Sequence, residues 1–474
     1  MNVLRFFISC FIFTTFVFAQ QVSTPSLSTL SVENMRKIQS AALESDYALV
    51  QTRYLTNNIG PRLSGSPQYN RAAEYVAEEM RKLGLTVTMQ KVKVPHWVRG
   101  IETGEIVEFS GMAPGTTQKV VLTALGGSVA TPDSGLTGEV IVAENFAELE
   151  RLGKQAVAGK IVLFNYKFDR ELAAAGFGGD AYRQAVAYRS SGASAAARLG
   201  AVAVLVRSAG GSQNRLTHTG ALRYAPDVQK IPAAAVSSED ADLISHLAGE
   251  GKVRIKLTLT PKTLPDADAY NVIADLKGSE KPEEVVIVSG HLDSWDLGTG
   301  ALDDAVGVAA AMQVPYLLKK LGITPKRTIR VIAYANEENG LAGGNGYAEA
   351  EKNNIVRHFA AIESDLGASN TLGFLFSGKE QAIPLFQPIS EVLSGQGAGI
   401  VRWQAGGVGA DIGPLTSLGV PSFAPLFDTR TYFNYHHTTA DTFDKVEPRN
   451  LAKLGSLMAV LAYGLAEMKV EIPR

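Results

Sequence analysis

Residues 283–310 read EEVVIVSGHLDSWDLGTGALDDAVGVAA, and this stretch decides the fold. Positions 283–289 form a short, largely β-branched apolar run that fits a buried strand. From Val306 to Leu321 apolar residues dominate at helical spacing, with Pro315 expected to kink the helix. Between strand and helix lies a loop carrying His291, Asp293, Asp303 and Asp304. Strand, polar loop and helix in that order make half of a βαβ unit. The pattern recurs: 328–335, 359–364 and 420–427 read as strands, and 451–468 as an amphipathic helix. This alternation predicts an α/β domain with a mixed, largely parallel central sheet flanked by helices.

The acids and histidines of this half fall just beyond the strands. His291 and Asp293 follow the first, and Asp303 sits at the mouth of the next helix. Glu337 and Glu338 follow the second strand, Asp365 the third and His437 the last. In open α/β sheets, ligands collect outside the carboxyl ends of the strands, so residues distant in sequence converge there. Singly, each has an ordinary explanation: Asp-Asp before a helix is an N-cap, and paired glutamates open a solvated helix. Glu337-Glu338, however, follows the apolar run 331–335, where paired negative charge needs a reason. Two metal ions about 3.5–4 Å apart supply one, because they need a bridging carboxylate and flanking His or carboxylate ligands. Asp293, two residues after His291 on an extended chain, can accept the proton on that histidine's other ring nitrogen. A carboxylate near the ions but outside their ligand set can carry protons.

Upstream, Arg5 precedes an apolar run at 6–18, and Val17-Phe18-Ala19 offers small residues for cleavage. That layout predicts a signal peptide at 1–19 and a secreted or periplasmic protein. Residues 20–50 fit a pro-segment or a docked N-terminal helix. Ser66-Pro67 reads as an N-cap with proline at the first helical position, and Gly84 ends that helix before a strand at 87–94. Residues 51–116 and 265–474 thus form the two parts of a catalytic domain. Short apolar runs at 138–143, 160–166, 201–207 and 231–237 mark 117–264 as an inserted unit. Its histidines, His218 and His246, stand alone and read as surface or packing residues. Cys10 is the sole cysteine, so the mature chain has no disulfide or thiolate, and a metal must take His, Asp and Glu ligands. Zn2+ fits such a set, with Co2+ or Mn2+ as substitutes. A net charge of −2 argues for neither nucleic acid nor an anionic membrane surface, and neither is expected as a partner.

Several stretches together resemble the M28 family of co-catalytic zinc exopeptidases: GPRLSGS at 60–66, PHWVRG at 95–100, SGHLDSWD at 289–296 and GALDD at 300–304. PKRT at 325–328, ESD at 363–365 and HHTTADT at 436–442 extend the likeness, which runs from about Tyr54 to the C-terminus. The resemblance implies a zinc exopeptidase fold with an inserted protease-associated-like domain and two Zn2+ per chain. It implies that His291 and Asp365 bind one ion, Glu338 and His437 the other, and Asp303 both. It gives Glu337 the part of general base and Asp293 that of orienting His291. His436 or Tyr435 would steady the oxyanion. Family members of this kind are homodimers that hydrolyse short peptides, so a dipeptidase or carboxypeptidase is expected, with aminopeptidase action as the alternative. Non-catalytic relatives lose ligands that this chain keeps, and single-zinc acyltransferases lack the first histidine. Neither a Gly-x-Ser-x-Gly elbow nor a His-Glu-x-x-His helix is present.

Overall fold

The computed structural model describes residues 26–474, so the segment expected to be a signal peptide lies outside the described residues. Two eight-stranded sheets organise the chain. The first runs in the order Thr86–Val98, Lys262–Leu276, Arg327–Tyr334, Lys281–His291, His358–Glu363, Ser422–Phe427, Thr371–Ser377 and Ile400–Trp403. Its four central strands, Arg327–Tyr334 through Ser422–Phe427, are mutually parallel. Antiparallel pairs flank them on both sides, so the sheet is mixed with a parallel centre. Register sets His291 beside Tyr334 and Ser289 beside Glu363, which brings the carboxyl ends of these strands level.

The helix Val306–Leu321 closes tightly over the Lys281–His291 strand. A Cβ on Gly290 would lie 2.4 Å from Asp304 Oδ2 and 2.8 Å from Val308 N, so only glycine allows this approach. The Ser66 N-cap holds as read: its hydroxyl accepts from Tyr69 N, and the helix runs Pro67–Lys82. One expectation is corrected. The C-terminal helix Pro448–Glu467 is buried from Leu454 to Glu467 rather than amphipathic. A helix apolar on all sides belongs inside a core, and here it lies between the sheet and the N-terminal helix Thr29–Leu43. That N-terminal helix buries Met35, Ile38 and Ala42 completely. Ser31 Oγ donates to Glu467 Oε2 at 2.9 Å, and Asn34 donates to Tyr463 Oη at 2.9 Å.

The second sheet runs Gln118–Val120, Glu102–Glu108, Arg254–Leu259, Leu136–Ala143, Ile161–Phe164, Ala203–Arg207, Ala233–Val236 and Leu122–Ala124. Since Glu102–Glu108 belongs to it, the inserted unit starts upstream of residue 117. A long antiparallel ribbon, Thr86–Val98 with Lys262–Leu276, leaves the first sheet and leads into this unit. Arg99 latches the two together. Its guanidinium pairs with Asp296 of the catalytic domain at 2.7 and 2.8 Å, with Glu102 at 2.8 Å, and donates to Ala124 O at 2.8 Å. No described helix is long and apolar enough to cross a membrane.

Because Ile38 of the N-terminal helix is fully buried in the main core, Ile38→Ala is expected to lower stability by about 2–4 kcal/mol. A denaturant midpoint equal to the parent's would show that this helix is not part of the cooperative fold.

Candidate metal centre

At the level carboxyl ends of the parallel strands, the acids and histidines meet. His291 Nε2 lies 3.0 Å from Asp303 Oδ1 and 3.1 Å from Asp365 Oδ1. On the other side of Asp303, Oδ2 lies 3.1 Å from His437 Nε2, which is 3.0 Å from Glu338 Oε2. Two donor sets therefore share one carboxylate, and in each the donor atoms lie within 4.8 Å of one another. All five side chains reserved for metal in the sequence are brought together. Glu337 borders the same cleft.

The loops that present these groups are held by buried polar contacts. Arg62, fully buried, donates to the carbonyls of Leu292 at 2.6 Å, Thr299 at 2.7 Å and Gly300 at 2.9 Å. Asp441 accepts from the amides of Ala301, Leu302 and Asp303 at 3.1, 2.7 and 3.2 Å. Together they fix the loop between His291 and Asp303 from both sides. Asp304 accepts from His291 N at 3.2 Å and Gly307 N at 3.1 Å, tying strand to helix.

Asp293 divides its groups between two tasks. Its backbone carbonyl lies 3.0 Å from His291 Nδ1, closer than its carboxylate at 3.8 Å. The carboxylate instead accepts from Glu337 N at 3.1 Å, Glu338 N at 3.3 Å and Ser64 Oγ at 2.9 Å. It thereby sets the turn from which the two glutamates diverge. Glu338 points to His437 and accepts from Trp295 N at 3.2 Å. The Glu337 carboxylate makes no hydrogen bond among the described residues.

Electrostatics asks for cations here. Burial pushes Glu337 well above the usual carboxylate range, with Asp365 adding to it, and pushes Glu338 up to about 7, with Asp303 adding. Asp365 is raised by burial as well. Burial works against a charged His291, yet Asp365, Asp293 and Asp303 outweigh it and hold that imidazole well above its ordinary value. Glu338 and Asp303 do the same for His437. Among the described residues no lysine or arginine pairs with Asp303, Glu338 or Asp365, and Asp303 Oδ2 lacks a hydrogen-bond donor. Buried carboxylates that meet only histidines, with no lysine or arginine beside them, are what a metal pair neutralises. The residues present fit such a pair.

The inserted unit completes the site, and here the reading of His218 as an isolated residue is corrected. His218 Nε2 lies 3.1 Å from His436 Nδ1, and both rings are buried. His436 stacks on His437 with ring centroids 3.6 Å apart, and its Nε2 lies 3.3 Å from Asp303 Oδ2. Tyr435 faces a separate cavity with Phe168 and Arg430. Thr219 grips His437 twice: its amide donates to the His437 carbonyl at 2.9 Å, and its carbonyl lies 3.2 Å from His437 Nδ1. His437 needs that grip, because its φ of 60° is a region few non-glycine residues occupy. Arg189 and Tyr182, also unforeseen, line the same cleft of about 570 Å³. The 208–222 loop follows the carboxyl end of the Ala203–Arg207 strand, so the strand-end rule, applied to the inserted sheet, points to it too.

Residues 271–462 match the profile of peptidase family M28, and 117–244 match the PA domain. Carboxypeptidase Q from Bos taurus is 36% identical over 422 residues, covering 89% of this chain and 85% of that one. The crystal structure of a Peptidase M28 precursor from Shewanella amazonensis superposes with a TM-score of 0.87 at 36% identity, covering 94% of this chain and 98% of the other. BSAP, a zinc aminopeptidase from Bacillus subtilis, shares the fold with a TM-score of 0.65 at 21% identity, covering 90% and 98%. With 36% of aligned residues identical to such relatives over most of both chains, the protein belongs to peptidase family M28 and is a metallopeptidase.

Proposed function

We propose that this chain is a di-zinc exopeptidase that hydrolyses short peptides as a dipeptidase or carboxypeptidase. The observation that carries the reading is Asp303, whose Oδ1 faces His291 and whose Oδ2 faces His437, each with a second carboxylate alongside. His291, Asp303 and Asp365 would hold one ion, and Asp303, Glu338 and His437 the other. When bound, such ions polarise a carbonyl and lower the pKa of water to about 7. Nitrogen and oxygen donors suit Zn2+ and accept Co2+ or Mn2+.

The protein's own groups supply the proton traffic. Glu337 borders the cleft with a carboxylate free of protein donors, so it takes a proton from the attacking water and returns it to the leaving amine. With His218 Nε2 donating to His436 Nδ1, the His436 proton sits on Nε2, which lies 3.3 Å from Asp303 Oδ2 at the cleft. There it donates to the oxyanion that forms at the scissile carbonyl. Asp293 keeps the two adjacent glutamates in their separate orientations. The apolar start of the chain supports export to a secreted or periplasmic compartment, and the family resemblance supports a homodimer.

A panel of unblocked, N-blocked and C-amidated di- and tripeptides, with and without chelator, tests the reading. Hydrolysis of unblocked or N-blocked peptides, abolished by chelator, is expected. Cleavage that tolerates C-amidation but is lost on N-blocking would assign an aminopeptidase instead. Glu337→Gln is expected to keep about two zinc ions per chain while kcat falls about 10²–10⁴-fold; undiminished turnover would remove it as the base. Asp303→Asn should lower zinc occupancy at both positions, and elemental analysis showing full occupancy would contradict the bridge.

A further inference from the structure

Three groups of side chains among the described residues bring three possible metal donors within 4.8 Å of one another. Two of them share Asp303 and make up the centre described above. The third, His218 with His436 and His437, offers nitrogen alone and no carboxylate. Within it, His437 lies flat on His436, with ring centroids 3.6 Å apart and planes 16° from parallel, so their lone pairs run side by side. His437 is also engaged elsewhere, by Nε2 with Asp303 and Glu338 and by Nδ1 with Thr219 O. His218 Nε2 and His436 Nδ1 instead face each other at 3.1 Å. Two nitrogens held about 2.0–2.1 Å from one tetrahedral zinc ion lie about 3.3 Å apart. The pair already has the spacing of two ligands to one ion.

Nothing locks the hydrogen bond between these rings. His218 Nδ1 is buried without a partner, so no contact fixes which nitrogen of that ring carries the proton. When Nε2 gives its lone pair to a metal, its proton leaves to water and one returns to Nδ1, and the imidazole stays neutral. Gly210 lets the ring sit there, since a Cβ at that position would lie 3.1 Å from His218 Cδ2 and 2.4 Å from Phe433 O. His436 borders the cleft, so water there can complete the coordination. Arg189 Nη1, 3.3 Å from His437 Nδ1, sets a like charge nearby and weakens the site, so an ion is held only when abundant.

Coordination changes what His436 can do. A hydrogen bond aims N–H and lone pair head-on, whereas a tetrahedral ion draws two lone pairs together at about 109°. Each ring must therefore turn by about 35°, and His436 Nε2–H turns with it, away from the line of a good hydrogen bond.

We propose that His218 Nε2 and His436 Nδ1 form a third metal site, for a divalent cation of the Zn2+ type, whose occupation slows turnover. The slowing, though not the site itself, rests on the peptidase reading above. The inserted unit then makes the enzyme responsive to free zinc, because it supplies the His218 ligand.

Equilibrium dialysis against about 0.1 μM to 1 mM free Zn2+, with dipeptide hydrolysis followed over the same range, tests this in the parent and in His218→Gln. The glutamine keeps an N–H for His436 Nδ1 but has no nitrogen lone pair for a metal. Two imidazoles are half the ligands of a closed structural site, which puts half-saturation at about 1–100 μM. The parent should take up a third ion in that range while its turnover falls about tenfold or more. His218→Gln should stop at two ions and keep, at 1 mM, most of its own low-zinc rate. Failure of the parent to bind a third ion overturns the proposal, as does a third ion bound equally by the variant. A third ion that depends on His218 but leaves turnover unchanged overturns the inhibitory role. If neither protein cleaves dipeptides, the peptidase reading fails, and the stoichiometry alone still decides the site. Should the variant lose the two tight ions, anomalous diffraction at the zinc edge from parent crystals in excess zinc decides. A peak about 2.0–2.1 Å from both nitrogens supports the site, and its absence overturns it.

Discussion

Everything at the centre depends on holding one buried carboxylate, Asp303, so that its two oxygens face different partners. Two side chains from distant parts of the chain hold that placement. Asp441 caps three consecutive amides ending at Asp303, and Arg62 takes the carbonyls of Leu292, Thr299 and Gly300 at the loop's other face. Since Arg62 comes from the N-terminal part and Asp441 from the loop before the last helix, the placement of Asp303 draws on both ends of the catalytic domain. Burial pushes Asp441 up to about 7, with Asp303 adding to it, while the amides of Leu302 and Asp303 and the charge of Arg62 oppose that shift. A carboxylate so placed stabilises the loop by hydrogen bonding and adds to the negative potential that draws cations in.

The second constraint is that half of the centre's support comes from the inserted unit. His437 sits at an unfavourable φ, and the contacts that offset this strain are the two from Thr219. His436 is held by His218 from the same loop. These contacts require the two units to keep a fixed spacing, which the Arg99–Asp296 fork and the edge-on Trp97–Trp295 pair supply. The stretches PHWVRG and HLDSWD therefore belong together in space. One carries the latch arginine and the other both its aspartate and a metal-ligand candidate, so docking of the inserted unit and shape of the centre are coupled.

Much of this was legible before any coordinates, for identifiable reasons. The residues His291, Glu338 and Asp365 announce themselves because charge directly after a buried apolar strand has no cheap structural explanation, and strand ends share an edge. The Ser66-Pro67 helix start is local chemistry and survives unchanged. Where local pattern and tertiary context diverge, the reading falters. The Pro448–Glu467 helix has enough polar residues to look one-sided, but Ser456 and Glu467 find buried partners in Gln396, Ser31 and Lys326 N. The Glu102–Glu108 strand pairs with Arg254–Leu259, some 150 residues away by their numbers, and no local signal assigns it to the second sheet. His218 and Arg189 were invisible for the same reason: a lone basic residue in a separate unit gains meaning only from what faces it.

That distinction bears on why Glu337 and Glu338, adjacent and chemically alike, end in different environments. Alternation along an extended chain would send them to opposite faces, but they do not lie on a strand. They follow Asn336, whose φ of 68° turns the chain. The Asp293 carboxylate then accepts both of their amides. With both N–H groups anchored on one acceptor, the two side chains must leave that anchor in different directions. Glu338 is drawn to His437 and Trp295 N, while Glu337 borders the cleft. The division of labour is thus written in the backbone at Asn336 and in Asp293, and either glutamate's identity matters less than which side of that shared acceptor it leaves from.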